Sequence, residues 1–422
     1  MINTYIITKV FMFFLFTKAL IQAYLDLRNE KYVAAHSKEV PAAFDHIISS
    51  DDHSRAAKYT IQKSRVERKF RTLNLLILLG WTLGGGLDYL EEFLHVLTAS
   101  YQLGTIQHGV IYVAIFSLIN MVLDLPHSIY FTFGIEEKFG FNKTTPKLFC
   151  LDLFKGLILG AIIGLPLFAL ILWLMESLKD SWWLYAFFAL TLFQIIMMWA
   201  YPVLLAPIFN KFTPLEDENI KNEIQDLLKQ TDFKTKGVFV MDASRRSSHG
   251  NAYFTGFGKA KRIVFFDNLI KALSAGEIKA ILAHELGHFK KKHIHMGIAL
   301  SLVSTFIGLW ILGYAYKSPL FLEAHGLNRI TPHTSLILFS LVVPIYTYFL
   351  TPLFNIFSRK NEFAADAFAT QLVAPEMLKS ALAKLYKDNA STLTPDPAYS
   401  YFYYSHPPAL ERIIALESSR PS

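Results

Sequence analysis

Long apolar stretches alternate with polar segments along most of the chain. A helix needs about 20 mostly apolar residues to cross a bilayer. Seven stretches meet that requirement, at approximately residues 4–26, 72–97, 105–130, 152–176, 182–208, 296–316 and 334–357. The pattern therefore predicts an all-α polytopic membrane protein with seven transmembrane helices.

A polar segment between the fifth and sixth apolar stretches, residues 209–283, has a different periodicity. "LEDENIKNEIQDLLKQ" is typical of an amphipathic helix, whereas "GVFVMDAS" and "KRIVFFDN" are typical of strands. "NAYFTGFGKA" lies between the strands and contains Gly256 and Gly258, so it predicts a hairpin. "SAGEIKAILAHELGHF" begins with Ser274 and has Glu277 three residues later, which is a capping-box pattern. The segment is predicted to be a small α+β unit that ends in this helix.

Composition supports the membrane assignment. Hydrophobic residues make up 53% of the 422 residues and charged residues only 18%, compared with about 25% charged residues in average soluble chains. The net charge of +7 is explained by basic cytoplasmic loops, so no nucleic-acid partner is expected. Cys150 is the single cysteine, which excludes an intrachain disulfide.

The distribution of lysine and arginine predicts the orientation in the bilayer. Residues 28–71 contain ten of them and residues 98–104 contain none. Because basic loops stay on the cytoplasmic side, we expect the N-terminus outside and the C-terminus in the cytoplasm.

The predicted α+β unit carries two histidines around a glutamate, in "HELGH". On a helix, His284 and His288 project from one face, about 6 Å apart at Cβ, which suits two ligands of a tetrahedral zinc ion. Glu285 can reach a water on that metal without being a ligand, as the general base of a metalloprotease does. The alternative is a surface helix with two solvated histidines.

A catalytic zinc site needs a third protein ligand and an open fourth position. Glu362 in "RKNEFAADAFAT" is the best candidate, and Asp366 one turn later would accept a hydrogen bond from a ligand histidine. The alternative for this stretch is an acidic helix N-terminus. The predicted parts of the chain are then residues 1–208 with five spans, 209–295 with the protease helix, 296–357 with two spans, and 358–422, which completes the zinc site.

The remaining polar residues allow a functional or a purely structural interpretation. His406 and Arg412 in "SHPPALERI" could hold the substrate or its oxyanion, or could belong to an ordinary helix start after a turn. "GNAYF" could form an edge strand that a substrate extends. Two polar groups near span ends, one made of Asp88, Glu92 and His95 and one of Asp124 and His127, lie either at the interface or in a water-filled cavity.

These motifs together resemble the Ste24 family, integral-membrane zinc metalloproteases of the CAAX prenyl protease 1 type in peptidase family M48. The resemblance extends to "DLPHSIYFTFGIEEKFGFNKTTPKLF", "APIFNKFTPL", "HGNAYFTGFGKAKRIVFFDNLI", "ILAHELGHFKKKHI", "EFAADAFA" and "SHPPALERI". It covers residues 120–413 in the expected order, while the first 120 residues match in layout.

The resemblance implies seven spans around a large chamber, roofed by a zincin-like cytoplasmic metalloprotease domain. It implies one Zn²⁺ per chain held by His284, His288 and Glu362, with Glu285 as base and His406 and Arg412 near the substrate. It also implies that Asn251, Ala252 and Tyr253 form the substrate-binding strand. The expected partners are the lipid bilayer and a peptide or protein substrate, prenylated in the family.

Two departures from the eukaryotic pattern bear on the location and the substrate. The segment before Glu362 is compact and "ESSRPS" contains no dilysine retrieval signal, so we expect a bacterial inner membrane rather than the endoplasmic reticulum. The main alternative function is a quality-control protease that acts on membrane proteins without a prenyl requirement. A transporter or scaffold with structural zinc is a further alternative, although structural sites close all four positions with protein ligands.

Overall fold

The computed structural model describes residues 3–255 and 261–418. The helices of the first half are α1 (Thr4–Ala35), α2 (Ser50–Trp81), α3 (Gly86–Thr98), α4 (Thr105–Tyr130), α5 (Pro146–Leu178), α6 (Trp182–Ala200), α7 (Ala206–Phe209) and α8 (Glu218–Gln230). Those of the second half are α9 (Asp267–Ala272), α10 (Ala275–Lys290), α11 (His293–Ala315), α12 (Pro319–Ala324), α13 (Pro332–Thr347), α14 (Thr351–Ala369), α15 (Pro375–Asp388), α16 (Pro397–Tyr403) and α17 (Ala409–Ser418). The strands are β1 (Phe212–Pro214), β2 (Val238–Met241), β3 (Ala252–Thr255) and β4 (Arg262–Phe266).

Five helical stretches in the described residues are long and apolar enough to cross a membrane, or six if one bent helix pair is a single span. One of the five, Pro146–Phe209, is 64 residues long and contains both α5 and α6. Ile171 and Met175 of α5 lie in one buried cluster with Trp182 and Ala186 of α6, so the two helices pack against each other. The chain is thus a mostly helical, multi-pass membrane protein.

The second predicted span, residues 72–97, is broken rather than straight. The axes of the α2 helix and the segment Gly86–Tyr101 differ by 56°. Gly85 has φ +75° between them, a left-handed conformation that favours glycine. The three glycines Gly84–Gly86 are the sequence signal for this break, and the hydropathy pattern alone does not show it.

The polar region 28–71, predicted to be a loop, is largely helical. α1 and α2 are each 32 residues long, or about 48 Å at 1.5 Å per residue, so they extend well past the apolar layer. Buried acidic side chains of α1 hold the extensions together, since Arg71 Nη2 lies 2.7 Å from Asp26 Oδ2 and Arg68 pairs with Glu30.

Two members of the polar group Asp88, Glu92 and His95 contact the segment that connects α12 to α13. The Asp88 carboxylate accepts hydrogen bonds from the backbone N–H groups of Asn328 and Arg329. Glu92, whose side chain is 60% exposed, pairs with the Arg329 guanidinium. These two carboxylates therefore hold the connecting segment against the first half of α3.

The α+β unit contains a four-stranded sheet in the order β1-β2-β4-β3. The two strands predicted from the sequence, β2 and β4, run parallel, and β3 pairs antiparallel with β4. The hairpin thus joins β3 to β4, and its predicted turn residues Gly256 and Gly258 lie outside the described residues. β3 is at the edge of the sheet, as predicted for "GNAYF".

The core of this unit forms between the sheet, α8 and α10. Ile263 and Phe265 of β4 share a buried cluster with Ile224 of α8 and with Leu282 and Leu286 of α10. Since α10 is covered by apolar groups on the sheet side, its two motif histidines must face elsewhere. They face α14.

The contact between α10 and α14 is unusually close. A Cβ atom at Gly287 would lie 2.9 Å from the Cα and backbone oxygen of Ala365, well inside ordinary contact of about 3.5–4.0 Å. A glycine is therefore required at this position for the two helices to approach as they do. The close contact between α10 and α14 brings the motif histidines of α10 next to the side chains of α14.

Candidate active site

The helix α10 begins with the predicted capping box. The Ser274 hydroxyl accepts from the backbone N–H of Glu277, and the Glu277 carboxylate accepts from the backbone N–H of Ser274. The helix continues through the motif, so His284 and His288 are one turn apart, with their Nε2 atoms separated by 3.1 Å. Local sequence preferences thus fix two potential ligand atoms side by side.

Glu362 of α14 is the third potential metal ligand, beside His284 and His288. Its Oε2 lies 3.4 Å from His284 Nε2, and its Oε1 lies 3.2 Å from His288 Nε2. Ligand atoms at 2.0–2.1 Å from a tetrahedral zinc ion are separated by about 3.3 Å, so all three distances fit. Glu362 Oε2 is also buried and accepts no hydrogen bond from the described residues. Two imidazole nitrogens and a carboxylate, one oxygen of which accepts no hydrogen bond from the described residues, therefore fit a divalent metal ion.

Asp366 and Arg412 lie behind the ligand group. His284 Nδ1 is 2.7 Å from Asp366 Oδ1, as the sequence predicted for this carboxylate. The Arg412 guanidinium donates to both Asp366 oxygens, from Nε at 2.8 Å and from Nη2 at 2.6 Å. Its remaining nitrogen, Nη1, lies 3.8 Å from Glu362 Oε2, so Arg412 contacts both acidic side chains of α14.

His293 also lies beside the motif histidines, and the sequence pattern did not predict this contact. Its Nδ1 lies 3.0 Å from His288 Nδ1, so it contacts the outer nitrogen of the second motif histidine. The chain turns between them, because α10 ends at Lys290 and Lys292 adopts φ +61° before α11 begins at His293. Residues five apart do not share a helix face, so periodicity gives no signal for this contact.

Glu285 lines a cavity of about 430 Å³ together with His284 and Glu362. Burial raises the pKa of the Glu285 carboxyl. Burial opposes protonation of His284, but Asp366 and Glu362 outweigh it and raise the pKa of that imidazole. The three carboxylates Glu285, Glu362 and Asp366 outnumber the one guanidinium of Arg412, and this excess of negative charge favours binding of a cation.

The cavity also collects residues from two other elements. His406 lines it, with Nε2 3.4 Å from Glu362 Oε1 and a side chain that is 66% exposed. Asn251 and Ala252 line it from the start of the edge strand. The ring of Tyr253 instead packs in a separate cluster with Met241 and Phe266. Of the predicted substrate strand, only the first two side chains reach the cavity.

Comparison with known proteins identifies the family. The profile for the CAAX prenyl protease N-terminal region, five membrane helices, matches residues 29–211. The profile for peptidase family M48 matches residues 214–420. The chain is 34% identical to the CAAX prenyl protease 1 homolog of Arabidopsis thaliana, over 96% of each chain. It is 37% identical to CAAX prenyl protease 1 of Saccharomyces cerevisiae, over 75% of this chain and 74% of that one.

A solved structure agrees with these sequence relationships. The crystal structure of S. mikatae Ste24p superposes with a TM-score of 0.90 at 31% identity, covering 97% of this chain and 99% of that one. Together with the helical fold and the His–His–Glu group, these matches identify a membrane metalloendopeptidase. The chain belongs to peptidase family M48, and within it to the Ste24-type CAAX prenyl protease 1 family.

Proposed function

We propose that this enzyme is a zinc-dependent endopeptidase that cuts near the C-terminus of CAAX-type prenylated or other membrane-associated proteins. The observation that carries the proposal is one cavity that brings together a His–His–Glu group, an adjacent glutamate and an open sheet edge. A bilayer-embedded chain with this arrangement is suited to substrates that already lie at the membrane. CAAX is the substrate class in the names of the relatives.

In this proposal His284, His288 and Glu362 hold one zinc ion. When bound, zinc supplies the Lewis acidity that activates a water molecule and polarises the scissile carbonyl. Glu285 takes the proton from the attacking water and delivers it to the leaving amine. Asp366 holds the His284 ring in the tautomer that leaves Nε2 free as a ligand, and Arg412 positions Asp366.

The edge strand orients the peptide. A substrate that pairs with the free edge of β3 would run past Asn251 and Ala252, beside the ligand group. His406 is exposed within the same cavity, so its ring can donate to the developing oxyanion. Holding the scissile bond in this way supplies a large part of the rate enhancement, since well-oriented reacting groups reach effective molarities of about 10⁵ M or more.

The proposal also covers the number and the arrangement of the membrane spans. At about 1.5 Å per residue the 64-residue stretch that holds α5 and α6 would measure about 96 Å, three times the hydrocarbon thickness. We therefore count α5 and α6 as separate crossings, which gives seven spans when α2 and α3 form one bent span. We propose that they surround a chamber with the C-terminus in the cytoplasm.

A single substitution tests the chemistry. The Glu285→Gln variant should keep its metal and lose peptide cleavage, because the amide cannot accept the proton. A Glu218→Gln variant, changed at an exposed glutamate of α8, is the control and should cleave normally. Cleavage by Glu285→Gln at the normal rate would contradict the proposed base.

The same assay separates the substrate classes. Purified enzyme is offered a farnesylated CAAX peptide, the same peptide without the lipid, and an unfolded membrane protein, with products identified by mass spectrometry. Preferred cutting of the farnesylated peptide supports CAAX processing. Equal cutting of both peptides, or preferred cutting of the unfolded protein, favours the quality-control function.

A further inference from the structure

A second group of metal-ligand side chains lies away from the protease unit. It consists of Glu91 from α3, His108 from α4 and His333 from α13, and it takes no part in the proposed peptide cleavage. α4 begins at the group, and its other end continues into the segment where Glu136 pairs with His249 of the α+β unit. The group therefore occupies the end of the helical bundle opposite the candidate active site.

Its geometry resembles that of the protease site. Glu91 Oε2 lies 3.2 Å from His108 Nε2 and 2.9 Å from His333 Nε2. The three ligand atoms all lie within 4.8 Å of one another. The corresponding distances in the protease site are 3.1–3.4 Å, and about 3.3 Å is expected around tetrahedral zinc. Both imidazoles thus direct the same nitrogen at one carboxylate oxygen.

The hydrogen bond on the outer side of His108 favours a ligand role. Thr98 Oγ1 donates to the Leu94 carbonyl oxygen at 2.7 Å and lies 3.3 Å from His108 Nδ1. With its proton already used, the hydroxyl can only accept, so Nδ1 carries a hydrogen. When the ring is neutral, its Nε2 lone pair faces the Glu91 carboxylate oxygen, and a cation between them would bind both. This is the outer-contact pattern of metal-binding histidines.

His333 is packed into place. Its side chain is 2% exposed, and a Cβ atom at Gly109 would lie 3.0 Å from its Nδ1 and 2.6 Å from a methyl carbon of Leu172. The absence of a side chain at residue 109 is therefore what makes room for the ring. A buried imidazole held in one orientation is a preorganised ligand.

An open cavity of about 400 Å³ adjoins the group. Glu91, His108 and His333 all line it, so a water molecule can take a fourth coordination position. The neighbouring Glu92 is turned away and paired with Arg329. His95 also lines the cavity, but among the described residues no carboxylate other than Glu91 does, so none there corresponds to Glu285 of the protease site.

We propose that Glu91, His108 and His333 form a second metal site, which binds a zinc-type divalent transition-metal ion and joins three membrane helices. Two imidazoles and one carboxylate are donors that such ions prefer, whereas Mg²⁺ and Ca²⁺ prefer oxygen ligands throughout. With no second carboxylate lining the cavity in the described residues, we assign the site a structural or regulatory role rather than a hydrolytic one. The competing account is a metal-free cluster in which protonated His108 donates to Glu91.

Zinc stoichiometry in a chain that lacks the protease site tests the proposal without altering the new group. The full-length His284→Ala, His288→Ala variant is purified, incubated with ZnCl₂ or MgCl₂, freed of unbound metal and analysed by mass spectrometry for metal per chain. We expect one zinc per chain and no magnesium, compared with two zinc ions in the unsubstituted enzyme. No bound zinc in a monodisperse sample would overturn the proposal.

Two further measurements assign the ion. Adding Glu91→Gln and His333→Ala to that variant should abolish zinc binding, whereas adding His46→Ala, at a 94% exposed histidine, should leave one zinc per chain. Zinc retained after the first pair of changes would place it elsewhere and overturn the assignment. If the first pair prevents folding, X-ray absorption of the zinc-loaded parent variant decides, because two imidazole ligands support the site and oxygen ligands alone refute it.

Discussion

Gly287 sits inside the motif "HELGH" and is expected to control the distance between the two helices that carry the proposed ligands. A Cβ atom there would lie 2.9 Å from both the Cα and the backbone oxygen of Ala365, and 3.2 Å from its Cβ. Because two of these atoms are backbone, no side-chain rotation relieves the contact. A Gly287→Ala variant must therefore move α10 away from α14, and Glu362 away from the two histidines.

The size of the effect follows from the distances. Restoring ordinary contact of about 3.5–4.0 Å requires a movement of roughly 0.5–1 Å. Metal–ligand distances vary by only about ±0.2 Å, so the three ligands could no longer bind one ion well. Overpacking costs about 1–3 kcal/mol, offset by about 1 kcal/mol from the better helix propensity of alanine. A displacement of 1 Å in an active site lowers activity by about 100-fold.

The assay measures kcat/KM for peptide cleavage, zinc per chain and melting temperature in one detergent. Gly287→Ala should show the activity loss and weaker zinc retention with little change in melting temperature. Gly297→Ala is the matched control, since that α11 glycine has no neighbour within 4 Å. Adding Ala365→Gly to the variant should not restore activity, because the clash is with backbone atoms. Wild-type activity and zinc content in Gly287→Ala would show that this contact does not set the spacing of the ligands.

Two further predictions concern carboxylates. Asp366→Asn should weaken zinc affinity or activity by about 10–100-fold, because the Nδ1 atom of His284 loses its charged partner; unchanged affinity in a chelator-competition titration would contradict this. Burial acts to raise the pKa of Glu277, but Lys384 and Ser380 outweigh it and the pKa is lowered on folding. Its charge therefore stabilises the fold fully above the usual pKa of about 4.3 and progressively less as pH falls through the lower folded value. The melting-temperature difference between wild type and Glu277→Gln should accordingly shrink below pH of about 4.3; a constant difference would contradict it.

Features that depend on neighbouring residues could be predicted from the sequence. The capping box of α10 depends on Ser274 and Glu277, and the pairing of His284 with His288 depends on one helical turn, so both follow from local preferences. α4 has the predicted bounds, 105–130, because its ends coincide with the ends of an apolar run. The apolar run before Gly84 predicts the second span, but it does not predict the bend within that span.

Features that depend on distant contacts could not be predicted in this way. The long polar extensions of α1 and α2 are joined by an ion pair between the buried Asp26 and the partly exposed Arg71, 45 residues apart in sequence. His293 reaches His288 only because the chain turns sharply between α10 and α11. Glu91, His108 and His333 come from three helices, and their convergence depends on how the membrane helices pack.

The two ligand groups share one helical stretch, which sets where each can act. Residues Pro332–Ala369 form a single 38-residue candidate span, with His333 at one end and Glu362 near the other. A rise of 1.5 Å per residue separates these two by about 44 Å, more than the hydrocarbon thickness of about 30 Å. If the stretch crosses the bilayer, the two groups lie on opposite sides of it. The protease site then lies at the headgroup level of one face, and the second group would take metal from the other compartment. Changing zinc on that side alone, in sealed vesicles, would therefore load the second group without loading the first.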